Sequence, residues 1–381
     1  MTQRITILGA TGSIGGSTLD VIAQHRDRFE VVALTAQDNA EKLAALTKRF
    51  RPRLVAIGNE AHLPALRALL TDFDGEIAGG PNAIIEAASI PVDLSMCAIV
   101  GAAGLSATLA ACAHAKRVAL ANKESLVCAG PLVMAACTKH GTTLLPVDSE
   151  HNAIFQVLTI EHRAQLEKVT LTASGGPFLQ RPLDTMAQVT PQEAVTHPRW
   201  TMGAKISVDS ATMMNKGLEL IEAHYLFALP PQQLDVLIHP QSIIHSLVHY
   251  TDGSVLAQLG MPDMRIPIGY VLGWPKRLDL ATPRLDLAAQ QQLNFAAVDE
   301  ARFPCLRLAK QALQTGAQAM IALNAANEMA VSSFLQGQIR FTEIAPTVER
   351  VLVRAGNAPI SSIADVMAAD QEARTAWRDA A

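Results

Sequence analysis

Hydrophobic and polar positions alternate with two different rhythms along this chain. Over residues 1–148, short apolar runs at 4–8, 30–35, 54–57, 98–100, 118–121 and 143–147 read as strands. Amphipathic stretches at 41–50, 63–70 and 106–115 separate them and read as helices. Alternation of this kind predicts a parallel sheet with helices on both faces and its ligand at the carboxyl ends of the strands. From 149 to 271 the rhythm changes. Turns such as Ser174-Gly175-Gly176-Pro177, His197-Pro198 and His239-Pro240-Gln241-Ser242 interrupt strands at 168–173 and 254–259, predicting an α+β domain whose loops carry chemistry. Residues 272–298, with Trp274-Pro275 and Thr282-Pro283, show little period and read as a linker. Helical patterns at 305–315, 320–336, 342–355 and 362–378 then predict a small bundle over 299–381, with Thr342 before Glu343 and Ser362 before Asp365 marking helix starts.

Composition narrows the class. With 381 residues, 49% hydrophobic and 17% charged, the chain is globular and long enough for several cores. A net charge of −4 provides no basic field for nucleic acid, while leaving room for a small phosphorylated ligand held by local donors. No run reaches the roughly 20 apolar residues of a membrane helix, because Gly130, Pro131, Lys139, His140 and Gly141 break the richest one. The first residues read as a strand and lack the layout of a signal peptide, which points to a cytoplasmic protein. Five cysteines without a CxxC pair read as reduced, buried thiols.

Several segments point to chemistry. Gly9-Ala10-Thr11-Gly12-Ser13-Ile14-Gly15 follows the first strand and opens a helix, the context in which spaced glycines admit a dinucleotide pyrophosphate. Thr35-Ala36-Gln37-Asp38-Asn39 ends the second strand, where the choice between NAD and NADP is made. Asp148-Ser149-Glu150 closes the last strand of the first domain. In extended chain its two carboxylates face one side, and Glu219 offers a third; oxygen ligands of this kind suit a hard cation such as Mg²⁺ or Mn²⁺. Ser174, Ser210, Asn215 and Lys216 are donors of the kind a phosphate monoester needs. Asn122-Lys123-Glu124 follows a strand at the cofactor edge of the sheet. The segment 196–203, containing His197, Trp200 and Gly203, has the composition of a lid. His245 and His249 fall in a strand-like alternation, and a metal role is not expected of them.

Together these motifs closely resemble the 1-deoxy-D-xylulose 5-phosphate reductoisomerase family. The match extends over nearly the whole chain, through Ala121-Asn122-Lys123-Glu124-Ser125, Pro146-Val147-Asp148-Ser149-Glu150-His151-Asn152, residues 197–222 and Leu323-Asn324-Ala325-Ala326-Asn327-Glu328. The resemblance implies a Rossmann-like NADPH-binding domain (1–148), an α+β connective catalytic domain (149–271) and, after the linker, a C-terminal helical bundle (299–381), in a homodimer. It implies Asp148, Glu150 and Glu219 as ligands of Mg²⁺, Mn²⁺ or Co²⁺. Lys123, Ser149, Glu150, Ser174, His197, Trp200, Ser210, Asn215, Lys216 and Glu219 would hold the sugar phosphate, with Lys123, Glu150 and His197 catalytic. Thr11, Gly12, Ser13, Ile14, Gln37, Asn39, Asn122, Glu124 and Gly203 would hold NADPH. The chain departs from the family at Gln37 and Asp38, where a glycine and a basic residue that pairs with the 2′-phosphate are expected. Two other readings are a metal-free NADP-dependent semialdehyde dehydrogenase, which needs a nucleophilic cysteine, and a non-catalytic dinucleotide sensor.

Overall fold

The structure, a computed structural model, describes residues 2–200 and 202–380. It divides into two compact units. The first comprises residues 1–125, 133–148 and 263–282, and the second comprises 126–132, 149–262 and 283–381. No helix of the described residues is long and apolar enough to cross a membrane.

The first unit holds seven strands: β1 (Gln3–Leu8), β2 (Phe29–Ala36), β3 (Leu54–Ile57), β4 (Glu76–Gly79), β5 (Val92–Cys97), β6 (Ala115–Leu120) and β7 (Thr143–Pro146). They form one sheet in the order β4-β3-β2-β1-β5-β6-β7, and every pairing is parallel. The order reverses between β1 and β5, and a crevice at such a switch point is where doubly wound sheets bind ligands. Ile5, Ile7, Val32, Leu34, Val55, Leu94 and Val118 are fully buried in the sheet, so it is covered on both faces as a parallel sheet must be. Two strand positions differ from the sequence reading. The fifth strand is Val92–Cys97 rather than 98–100, and Glu76–Gly79 adds an edge strand whose alternation is too short to read.

The second unit carries a mixed five-stranded sheet built from β8 (Leu166–Ala173), β9 (Leu234–Ile238), β10 (Ile244–Tyr250), β11 (Val255–Leu259) and β12 (Ala296–Ala297), in the order β11-β10-β8-β9-β12. Its helical part contains Pro304–Thr315, Ala317–Leu335, Ile344–Arg354 and Ile363–Ala380, close to the expected four helices. Ser362 Oγ accepts the Asp365 N–H at 3.1 Å while Asp365 accepts the Ser362 N–H at 2.9 Å, the reciprocal cap read from the sequence. Phe178, Phe334 and Phe341 meet edge to face, with centroids 5.2 and 5.7 Å apart, in a core shared with Leu218, Leu308 and Leu323.

The chain is less sequential than the expected boundaries at 148, 271 and 298. Residues 263–282 return to the first unit, where Arg265 pairs with Asp20 at 3.3 Å, Asp279 O meets His25 Nε2 at 2.7 Å, and Arg117 donates to Trp274 O at 2.9 Å. The expected linker is therefore partly packed against the sheet's helices. Its later part supplies β12, paired antiparallel with β9. The helix Glu124–His140 loses helical geometry at Ala129, and its stretch Leu126–Leu132 belongs to the second unit.

Candidate functional site

In the first unit, Gly12 caps the helix Ser13–Gln24. A glycine brings no capping side chain, and the first turn holds no acidic residue, so its amides face outward as an anion site requires. Gly15 is sterically required: a Cβ there would run into the Gly9 carbonyl and Ala10 Cα. Ala10 N–H donates to Thr35 O at 2.7 Å and Gly9 N–H to Thr35 Oγ1 at 3.0 Å, tying the glycine loop to β2. Thr11 and Gly12 thus lie in the loop, and Ser13 and Ile14 open the helix that follows it. Asn39 Oδ1 accepts the Lys42 N–H at 2.9 Å and starts the helix Ala40–Phe50. Gln37 packs over Gly58, and Asp38 Oδ1 accepts from Asn59 Nδ2 at 2.9 Å.

After β6, Asn122 ties three segments together. Its amide donates to the carbonyls of Ile99 and Gly101, the latter at 2.9 Å, and its Oδ1 accepts the Ser125 N–H at 2.6 Å. Lys123 and Glu124 follow, both buried. Lys123 Nζ lies 2.5 Å from Asp148 Oδ2, with side chains only 8% and 18% exposed, so the ammonium and carboxylate neutralise each other away from bulk water.

Asp148 ends the first unit, and two peptide bonds lead from it to Glu150 in the second. The sequence reading placed these carboxylates on extended chain. The structure corrects this: β7 stops at Pro146, and Ser149 begins the helix Ser149–Val157. The helix turns Glu150 toward Met214–Phe227, the helix carrying Glu219. Lys216 Nζ donates to Glu150 Oε1 at 2.9 Å and also to Glu219 Oε2, and the two carboxylates come within 4.8 Å of each other. Asn215 Nδ2 donates to Glu219 Oε1 at 2.6 Å, and Ser149 Oγ to Glu150 Oε2 at 2.6 Å. Burial opposes the charge on Lys216, but Glu150 and Glu219 outweigh it and raise its pKa. One ammonium against two carboxylates leaves a net charge of −1, an all-oxygen set able to take a hard cation. Asn215 and Lys216, expected as phosphate donors, direct N–H groups at these carboxylates.

A second cluster of this unit surrounds Ser174. Gly176 has φ +67° and a Cβ there would lie 2.8 Å from Ser210 O, so the Ser174-Gly175-Gly176 turn and the end of the helix Ala204–Thr212 press together. Phe178 beyond the turn is held by the aromatic core, and Arg302 donates to Phe178 O and Arg181 O at 3.1 and 2.6 Å. Asn327 Nδ2 donates to Asp209 Oδ1 at 2.8 Å and Lys205 Nζ pairs with Asp209 Oδ2 at 2.9 Å, pinning the helix that carries Ser210 to the helical bundle. Gly203, the remaining expected cofactor contact, is the exposed cap of this helix.

His197 joins this cluster from its loop. Its Nδ1 accepts the N–H groups of Arg199 and Trp200 at 3.1 and 2.9 Å, which fixes the proton on Nε2, and Nε2–H donates to Ser174 Oγ at 3.0 Å. Burial takes the pKa of His197 down to about 4, although Glu150 pulls the other way. Trp200 stands 6.3 Å from the ring of buried His245. Thr201, within the expected lid segment, lies outside the described residues.

Two residues of this region received no role from the sequence. His151 Nε2 meets Glu219 O at 2.8 Å, so that nitrogen carries a proton, and its Nδ1 lies 3.3 Å from Glu222 Oε2. Both side chains are essentially unexposed. The available signals were the position of His151 beside Glu150 and the i, i+3 spacing of Glu219 and Glu222.

Family models described as 1-deoxy-D-xylulose 5-phosphate reductoisomerase, its C-terminal domain, and the DXP reductoisomerase C-terminal domain match residues 5–130, 144–227 and 259–376, respectively. The chain is 56% identical over 378 residues to the 1-deoxy-D-xylulose 5-phosphate reductoisomerase of Ralstonia pickettii, covering 98% of this chain and 96% of the relative. The Zymomonas mobilis enzyme, solved in complex with NADPH, superposes with a TM-score of 0.93 at 49% identity over 100% of this chain and 98% of that one. A DOX-P reductoisomerase solved with NADPH, fosmidomycin and magnesium gives 0.94 at 45% identity, over 99% and 98%. The chain belongs to the 1-deoxy-D-xylulose 5-phosphate reductoisomerase family.

Proposed function

We propose that this chain rearranges 1-deoxy-D-xylulose 5-phosphate and reduces the product with NADPH to 2-C-methyl-D-erythritol 4-phosphate, a step of non-mevalonate isoprenoid precursor synthesis. The observation that carries the reading is the convergence of Glu150 and Glu219 on one buried ammonium, in a chain whose first unit presents an uncapped glycine loop at a sheet switch point.

The donor set fits both implied groups. Asp148, Glu150 and Glu219 would hold Mg²⁺, Mn²⁺ or Co²⁺ through oxygen alone. Thr11, Gly12, Ser13, Ile14, Gln37, Asn39, Asn122, Glu124 and Gly203 would hold NADPH. When bound, these groups supply Lewis-acid polarisation of the substrate carbonyl and a hydride. The protein's own residues do the rest. Lys123 donates a hydrogen bond to the reacting oxygens and Glu150 takes a hydroxyl proton, with Ser149 orienting the Glu150 carboxylate. Ser174, Ser210, Asn215 and Lys216 grip the phosphate, whose remote binding energy orients the reacting carbons. His197 and Trp200 close over the substrate and exclude water.

The edge strand β11 exposes Val255, Leu256 and Leu259, at 46, 45 and 36%, and an apolar edge of this kind suits strand pairing with a second copy in a homodimer. Five free, buried cysteines suit the reducing cytoplasm. The semialdehyde dehydrogenase reading lacks support: all five thiols are buried, and burial pushes Cys97 and Cys305 up to about 12.

Purified protein should oxidise NADPH only when deoxyxylulose phosphate and a divalent cation are both present, should lose activity to a chelator and should retain it after thiol alkylation. Turnover that survives chelation and dies on alkylation would overturn the proposal.

A further inference from the structure

We infer that Lys42, rather than any residue at the end of β2, is the cation that selects NADPH over NADH in this chain. The inference rests on the NADPH reading above. In a doubly wound sheet the adenosine ribose lies at the end of the second strand, and a 2′-phosphate there needs a positive donor. Position 38 supplies a carboxylate instead. That carboxylate is turned toward the loop after β3, where Asn59 donates to it at 2.9 Å and His62 Nε2 stands 3.8 Å away. Asn39 is committed to capping the following helix.

Lys42 is the residue whose N–H that cap receives, so its side chain leaves the first turn of the helix. Its Nζ then reaches back across the loop and donates to Thr11 O at 2.8 Å. The ammonium therefore bridges the glycine loop and the end of β2, the two segments that embrace an adenosine ribose. It is exposed, and only one of its three donors is directed at Thr11. The helix's other basic residues, Lys48 and Arg49, lie in its last turn, roughly 9–10 Å further along the axis. Glu41, one position earlier, projects about 100° away around the helix. A lysine three positions past Asn39 thus restores the positive charge that Asp38 removes.

The test is a titration of NADPH and of NADH into the full-length protein, followed by quenching of tryptophan fluorescence or by calorimetry. For Lys42→Ala the Kd for NADPH should rise about tenfold, the size of one charge-assisted contact at an exposed phosphate, while the Kd for NADH changes less than twofold. Lys42→Arg should keep most of the NADPH affinity. NADH serves as the control for the loop, because it uses the same pyrophosphate cradle. Equal losses for both dinucleotides, or no loss for NADPH, would overturn the inference. Failure of the unmodified protein to bind either dinucleotide would instead remove the cofactor reading, and this inference with it.

Discussion

At the scale of single residues, the decisive facts are proton positions and charge partners. His197 accepts two backbone N–H groups at Nδ1, and a proton placed there would break both. Above its ordinary value of 6.5 the ring is neutral whether its loop is folded or unfolded. As pH falls from 6.5 toward 4, the unfolded segment takes up a proton that the folded, hydrogen-bonded form refuses, so the folded loop loses stability across that window. The His197 ring resonances should titrate near 4, with the contact to Ser174 weakening on the way down; a midpoint near 6.5 would contradict the bonded tautomer. Glu219 shares Lys216 with Glu150 and accepts from Asn215. Glu219→Gln removes the charge while keeping the shape. Turnover at limiting Mn²⁺ should fall by about 100-fold or more, as when an electrostatic contact made in the transition state is lost, with the NADPH Kd unchanged. Full turnover in the variant would remove Glu219 from the site.

Among the elements, turns position the donors. Gly176 lets the Ser174 turn touch the last residues of Ala204–Thr212 with left-handed backbone. Gly176→Ala should raise KM for the sugar phosphate at least about tenfold and lower stability by about 1–2 kcal/mol, the cost of an L side chain in that region plus its contact; steady-state kinetics and thermal melting check both numbers. The acidic motif teaches a different lesson. Asp148-Ser149-Glu150 was legible as a pair of acidic residues near one another, yet the strand geometry assigned to it was wrong, because nothing local distinguishes a strand's last residues from a helix's first. Similarly, 98–100 read as a strand because it is apolar, whereas the pairing of Val92–Cys97 with β1 and β6 places the strand earlier.

On the scale of the whole molecule, the sheet of the second unit ends in β11 with three exposed apolar side chains. If a second copy covers that edge, Leu256→Lys should convert dimer to monomer at micromolar protein in sedimentation analysis, and an unmodified protein that sediments as a monomer would end the proposal. Residue identity and short-range spacing were enough to read a glycine loop opening a helix, a βα alternation, four C-terminal helices and oxygen donors suited to a hard cation. These depend on the nearest few residues, and the backbone's small menu of conformations turns them directly into elements. Packing alone set the rest. It brought Glu150 to Lys216 across 66 positions, put the His151–Glu222 pair behind Glu219, turned Asp38 toward Asn59 and returned residues 263–282 to the first unit. Contacts this distant are made only when buried faces of separate elements fit one another, and no periodicity along the chain encodes that fit.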